Sequence, residues 1–321
     1  MNINPKDFFD QRALNEREKI QSADELWDFL VTPDRHSQFN LPNGSMFYRG
    51  QPDSLFGLDS KLYRLIASQL KDTLSPLQFK RDAEKYMREV EDLALKTARE
   101  NGLGMGFSDL QLMGLLQHHG MPTRLIDVTR SPLIALYFAV EKQDESEGRL
   151  FIITTKNSLK DTKTTFSTFP RRIQAPLPWN SSARATSNWQ QKVFEAEIGA
   201  LDARMVAQEA SFLVGEIYTS GGKFPQYLYE ANGKTTNIDV SSMRAISTLL
   251  ICFPKNNAVP KNPNKWSSFG WSLTIPAEWK SQLRNRLLLH DPSIFVDSIY
   301  PPIGELKRLI SHVVVSAIAA K

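Results

Sequence analysis

The chain has 321 residues, 41% hydrophobic and 23% charged, a balance that excludes disordered, collagen-like and coiled-coil classes. At roughly 150 residues per domain, the length predicts two domains or one large one. Lys and Arg exceed Asp and Glu by 39 to 35, a net charge of +4 that falls short of the clustering of a dedicated nucleic-acid binder.

Residues 1–12 mix Asp and Arg with no apolar stretch, so no signal peptide is predicted. The longest apolar runs, Leu133–Val140 and Val313–Ala320, are shorter than the roughly 20 residues that span a bilayer. A cytoplasmic location and no membrane partner are expected. The first helix starts at Ser22-Ala-Asp-Glu25, a capping-box pattern, carries Leu26, Trp27, Phe29 and Leu30, and stops at Pro33. Ser45–Gly50 predicts a short strand with Arg49 at its end. Ser75-Pro-Leu-Gln78 then opens one long amphipathic helix reaching Ala98, and the glycines of Asn101–Gly106 break it. That glycine run follows a helix instead of a strand, so it is no dinucleotide fingerprint. Ser108 with Gln111 caps a further helix, closed by Gly120 and Pro122.

Thr123–Thr129 alternates like a strand, and Ser131-Pro132 caps a helix over Leu133–Glu141. Arg149–Thr155 predicts a buried strand. Between residues 156 and 191 apolar periodicity disappears, which predicts a long loop. Strand-like segments follow at Ala203–Val214, Gln226–Glu230, Ala245–Phe253 and Trp271–Ile275, then helices at Pro276–Leu289 and Gly304–Ala319. The one cysteine, Cys252, lies in the apolar run Ile246–Phe253, which predicts a buried thiol and excludes an intrachain disulfide. Strands and helices mix without a β-α repeat, so the predicted class is α+β, with a mixed or antiparallel central sheet flanked by helices.

Phe47-Tyr-Arg-Gly50 together with the block Leu116-Gln-His-His-Gly-Met-Pro-Thr-Arg-Leu-Ile-Asp-Val-Thr-Arg-Ser-Pro-Leu-Ile-Ala-Leu-Tyr-Phe-Ala139 resembles the FRG domain family. Arg204-Met-Val-Ala-Gln208 with Phe212 is similar to that family's Arg and Gln-x-x-x-Phe segment, with Ala210 near an expected glycine. Phe295 and Asp297 resemble its closing Phe-x-Asp. The resemblance implies an N-terminal helical extension over 1–40, an FRG domain over 41–306 containing the loop 156–191, and a C-terminal helix over 307–321. In order, the chain also resembles ADP-ribosyltransferases of the Arg, Ser, Glu type: Arg49 after a strand, Asp127–Ser131 running into a helix, then Gln208-Glu209. That resemblance implies a transferase-like cleft taking NAD as substrate and modifying a macromolecular acceptor. The alternative is a non-catalytic nucleotide- or nucleic-acid-binding module.

Arg49 would clamp a pyrophosphate bidentately, with Tyr48, Gly50 and Gln51 beside it; an ion pair with a carboxylate such as Asp127 is the competing role. Thr129 and Ser131 would position a ribose, although Ser131 before Pro132 also reads as an ordinary helix cap. Asp127 points opposite to Ile126 and Val128 and would hold Arg49, His119 or Arg124 in place or join the site. Thr123 and Arg124 are cofactor-binding candidates on the same segment. His118 and His119 are adjacent and diverge on a helix, so they cannot chelate one metal, and no metal is expected. One of the two, with His119 as the candidate, faces the cleft. Glu209 would stabilise an oxocarbenium-like transition state, which Gln208 could not, and strand register decides which of them points inward. Arg171, Arg172, Trp179, Arg184 and Trp189 form a basic aromatic set suited to nucleic-acid contact or acceptor recognition, or to packing against the domain. No nucleophile elbow is present, which leaves a serine hydrolase without support.

Overall fold

The computed structural model describes residues 3–70, 76–156, 177, 179, 189, 192–196, 198–219, 228–231, 234–255, 266–294 and 296–300. Its elements in chain order are α1 (Pro5–Asp10), α2 (Ala23–Val31), α3 (Pro33–Ser37), β1 (Ser45–Gln51), α4 (Lys61–Leu70), α5 (Pro76–Glu100), α6 (Asp109–His118), β2 (Ile126–Thr129), α7 (Pro132–Val140) and β3 (Gly148–Thr155). There follow β4 (Val193–Ala196), α8 (Ala203–Ala207), β5 (Ala210–Gly215), β6 (Leu228–Ala231), β7 (Lys234–Asn237), α9 (Val240–Ile246), β8 (Ser268–Ile275), α10 (Lys280–His290) and α11 (Val296–Ile299). Among the described residues no helix is long and apolar enough to cross a membrane.

The class is α+β. A six-stranded sheet runs β4-β5-β2-β1-β3-β8, and every neighbouring pair in it is antiparallel. β6 and β7 form a separate hairpin ladder. The large sheet curls: at one end the Thr155 hydroxyl donates to the Val193 carbonyl (2.7 Å), and the Val193 amide donates to Ser267 Oγ (3.2 Å), which brings edge strand β4 to the far side of the sheet.

Both faces are covered, which is why β3 is buried along its whole length instead of alternating. On one face Phe47, Ile126, Val128, Phe151, Ile153 and Leu213 pack with Phe8 and Phe9 of α1 and Val240, Met243 and Ile246 of α9. On the other, Tyr48, Leu150, Ile152, Leu273 and Ile275 meet α2, α7 and α10. Toward β4 and β5, Phe194, Phe212 and Val214 pack with Leu112 and Met113 of α6 and with Trp179 and Trp189. The N-terminal helices are thus part of both main core layers.

Local signals explain several boundaries. Ser22 accepts from the Glu25 amide (3.2 Å), while the Glu25 carboxylate reaches back to the Gln21 amide (2.7 Å), one residue before the cap. Ser108 and Gln111 form the full reciprocal capping box at α6. Pro33 does more than end α2, since it starts α3. Two strand expectations are corrected. Residues 203–207 are helical, with Asp202 capping the Met205 amide (2.8 Å), and only Ala210–Gly215 is strand. In Ala245–Phe253 the start belongs to α9, and the rest is buried chain that bridges to Leu58 at Ser247 and touches the sheet through an isolated bridge from Cys252 to Phe269 of β8. The expected segment Gln226–Glu230 is strand at Leu228–Ala231, and Trp271–Ile275 lies within β8. The expected cap at Ser75, most of the loop 156–191 and the helix Gly304–Ala319 lie outside the described residues.

Candidate functional site

β1 and β2 share a single register pair, Tyr48 with Thr129. Beyond it the ladder stops, and the Arg49 guanidinium takes the next acceptor, donating from Nη1 to the Asp127 carbonyl (2.6 Å). A cavity of about 420 Å³ lies there, within the size range of small-ligand sites. Its floor is Tyr48, Arg49 and Gly50 from β1 and Asp127, Val128 and Thr129 from β2. Gln117, His118 and Gly120 from the end of α6 form one wall, and Arg204, Gln208, Ala210 and Phe212 form another. Pro52, Phe56, Phe138, Glu141 and Lys142 close the rim.

Cations and acceptors are both present. The Nε atoms of Arg49 and Arg204 are buried, and among the described residues neither has a hydrogen-bond partner. Burial pulls the Arg49 guanidinium below its ordinary pKa, and the neighbouring Asp127 carboxylate, 3.7 Å from Nη1, opposes that shift. Glu141 is already engaged, with Lys142 at 3.0 Å and the Tyr300 hydroxyl at 3.1 Å. The end of α11 supports the far wall: Gln208 Nε2 donates to the Ile299 carbonyl (3.0 Å), and the Arg204 guanidinium lies 4.7 Å from the centre of the ring of Tyr300, the residue after it.

Several candidates meet at this cavity, namely Tyr48, Arg49, Gly50, Asp127, Thr129 and Gln208. Asp127 points away from Ile126 and Val128, as alternation requires. Thr129 is buried, with Oγ1 accepting from the Ser131 amide (3.1 Å). Tyr48 reaches the cavity although its hydroxyl is held 2.9 Å from Nδ1 of His36. Gly50 has a packing reason as well: a Cβ there would lie 1.8 Å from the Ala135 carbonyl of α7, so the glycine lets α7 close onto the sheet.

Other candidates lie elsewhere. Glu209 is exposed and is not part of the cavity lining. The end of α8 decides this, with Gln208 at its C-cap and Glu209 in the left-handed region (φ 42°), so register within a strand is not the deciding factor. Gln51 is buried and donates to the Gly57 carbonyl (2.8 Å). Ser131 caps α7 by accepting from the Ile134 amide (3.3 Å). Arg124 is buried between Glu84 and Glu91, and Thr123 sits behind the cavity, donating to Gln117 Oε1 (2.7 Å). His119 is exposed, and His118 is the histidine that faces the cavity, 3.3 Å from Asp202 and with its pKa lowered by burial. Trp179 and Trp189 are buried and stacked on each other at 5.0 Å, with the Arg124 guanidinium over Trp179. Their ring faces are therefore closed to bases. Arg171, Arg172 and Arg184 lie outside the described residues.

The residues not anticipated as site members are Gln117, His118, Glu141, Lys142 and above all Arg204. A signal for Arg204 existed: it stands four residues before Gln208, the spacing that shares a helix face. Reading the segment as a strand concealed it.

These features define an α+β protein with a mixed-charge cleft at the parting of two central strands. The FRG domain family model matches residues 44–148, and the chain carries an FRG domain over that span. No curated protein and no solved structure matches the chain.

Proposed function

We propose that the cleft binds a pyrophosphate-bearing nucleotide, NAD being the first to test. One observation carries this reading: two arginines, Arg49 and Arg204, line one cavity, and among the described residues Arg204 has no carboxylate partner while Arg49 has Asp127 at 3.7 Å. Unpaired donors in a desolvated site are costly, and a diphosphate satisfies guanidinium groups bidentately. Phe56 and Phe138 on the rim offer apolar surface for a base or a nicotinamide ring. The test is calorimetric titration of NAD into the wild type, Arg49→Ala and Arg204→Ala. Binding that weakens about tenfold or more in both variants supports the reading. Equal affinity in all three proteins, or no binding to the wild type, overturns it.

A second reading, transfer of ADP-ribose from NAD to a macromolecular acceptor, is favoured by the Asp127 carboxylate on the cavity floor. In that reaction the nicotinamide–ribose bond breaks with its electron pair leaving on nicotinamide. The acceptor's oxygen or nitrogen bonds to the ribose carbon and gives up its proton. A carboxylate beside the ribose stabilises the intervening positive charge. Binding ranks ahead of transfer because the residue at the expected glutamate position that lines the cavity is Gln208, which carries no charge. Nicotinamide release that is lost in Asp127→Asn but kept in Glu209→Gln would reverse that ranking.

A further inference from the structure

Resting on the nucleotide reading above, we infer that the cleft selects a ligand with a ribose hydroxyl next to its phosphates, that Asp127 accepts from that hydroxyl, and that Thr123 and Gln117 position the carboxylate. The argument follows the protons. Thr123 Oγ1 accepts from the Leu125 amide (3.1 Å), and its single proton goes to Gln117 Oε1 (2.7 Å). This turns the other end of the Gln117 amide, Nε2, toward Asp127, where it donates to Oδ2 (2.8 Å). A flipped amide would set its oxygen against the carboxylate and lose the bond to Asp127. The chain of donors therefore runs one way and ends on Asp127 as an acceptor.

Arg49 Nη1 stands 3.7 Å from the same Oδ2. Among the described residues, Oδ1 of Asp127 has no hydrogen-bond partner, and the side chain is half exposed at the cavity. The cleft thus places an acceptor-only oxygen beside its anion-binding donors. Inorganic phosphate or pyrophosphate would meet repulsion from Asp127. A ribose phosphate supplies anionic oxygens to the arginines and a hydroxyl donor to the carboxylate, the pairing by which acidic residues recognise ribose in dinucleotide sites. Thr123 does not line the cavity, so its part is positioning.

The test measures affinities for NAD, for two NAD analogues each lacking the 2′-hydroxyl of one ribose, and for inorganic pyrophosphate. The proteins are the wild type, Asp127→Asn, Thr123→Val, Thr123→Ser and Arg49→Ala. The wild type is expected to prefer NAD over one of the analogues about tenfold, roughly 1.4 kcal/mol. Asp127→Asn should erase that preference, so that NAD and the analogue bind it equally. Thr123→Val should reduce the preference, and Thr123→Ser should restore it, a result that loss of structural support alone would not give. Arg49→Ala should weaken all four probes. A wild type that binds NAD and both analogues equally, or an Asp127→Asn variant that keeps the preference, overturns the inference and leaves the nucleotide reading standing. A wild type that binds pyrophosphate but not NAD, or binds none of the probes, overturns both.

Discussion

Replacing Arg124 with Met should destabilise the fold severely, and more so at high pH than at low. Arg124 donates from Nε to both oxygens of Glu91 (2.7 and 2.9 Å), from Nη2 to Glu91 (2.7 Å) and from Nη1 to Glu84 (2.8 Å). Glu84 and Glu91 are seven residues apart on α5, two turns along one face. Trp179 Nε1 adds a bond to Glu91 (3.1 Å), and the Ile217 amide one to Glu84 (3.3 Å). Removing the cation leaves two buried carboxylates without their counter-charge. Breaking a buried pair costs about 3–5 kcal/mol, a large share of a total that is typically about 5–15 kcal/mol. At about 2 °C per kcal/mol for a chain of this size, the midpoint should fall by roughly 6–10 °C.

The pH dependence has a definite sign. In the wild type, burial already raises the Glu91 pKa against the opposing pull of Arg124, and without Arg124 it rises further. A carboxyl whose folded pKa lies above its unfolded value of about 4.3 destabilises the fold fully above the folded pKa, and the penalty fades as pH falls toward the unfolded one. Urea melts of the wild type and Arg124→Met at pH 8 and pH 5 should therefore show the larger gap at pH 8. Adding Glu84→Gln and Glu91→Gln to the variant should recover part of the loss. A gap below about 1 kcal/mol, or one of equal size at both pH values, would refute the reasoning.

Gly50→Ala drives a Cβ to 1.8 Å from the Ala135 carbonyl and 2.7 Å from the Ala139 amide, both backbone atoms. About 1–3 kcal/mol or more should be lost, and a calorimetric midpoint unchanged from the wild type would count against this packing. Cys252 is buried, and its thiol pKa is pushed up to about 12 by burial. An aromatic disulfide reagent should label it only as fast as the protein unfolds, so rapid labelling of the native protein would contradict its position.

Signals local in sequence translated directly into structure. The Ser108 and Gln111 pair caps α6 as its spacing requires, the 25 residues of α5 follow their amphipathic pattern, and the even burial of β3 follows from its unbroken apolar run. Helix α4 went unpredicted although Leu62, Tyr63 and Ile66 recur at helical spacing on its buried side and Ser60 caps it, its Oγ accepting from the Tyr63 amide (3.2 Å). At five residues α8 is too short to show a helical period, and its apolar Met205 and Val206 read as strand. The candidate site was legible at Arg49 from the strand-end Arg-Gly of the family-like signature and at Asp127 from strand alternation. It was not legible at Arg124, because arginine next to a site looks the same in sequence whether it meets a phosphate or two glutamates 33 and 40 residues away. At Gln208 and Glu209 strand register was the wrong guide, because the end of α8 and the left-handed Glu209 set the two sides.

The order of the large sheet also bears on where the folding unit ends. Residues 44–148, the span matched by the family model, supply β1 and β2 and stop at the first residue of β3. In the sheet those two strands are central, with β3 paired along the whole of β1 on one side and β5 along the whole of β2 on the other. Cut out alone, the matched span would present two long unpaired edges carrying Phe47, Ile126 and Val128, the kind of surface that recruits other chains and aggregates. The matched segment is thus the middle of a sheet whose flanks come from residues up to 275, and only the longer chain seals it.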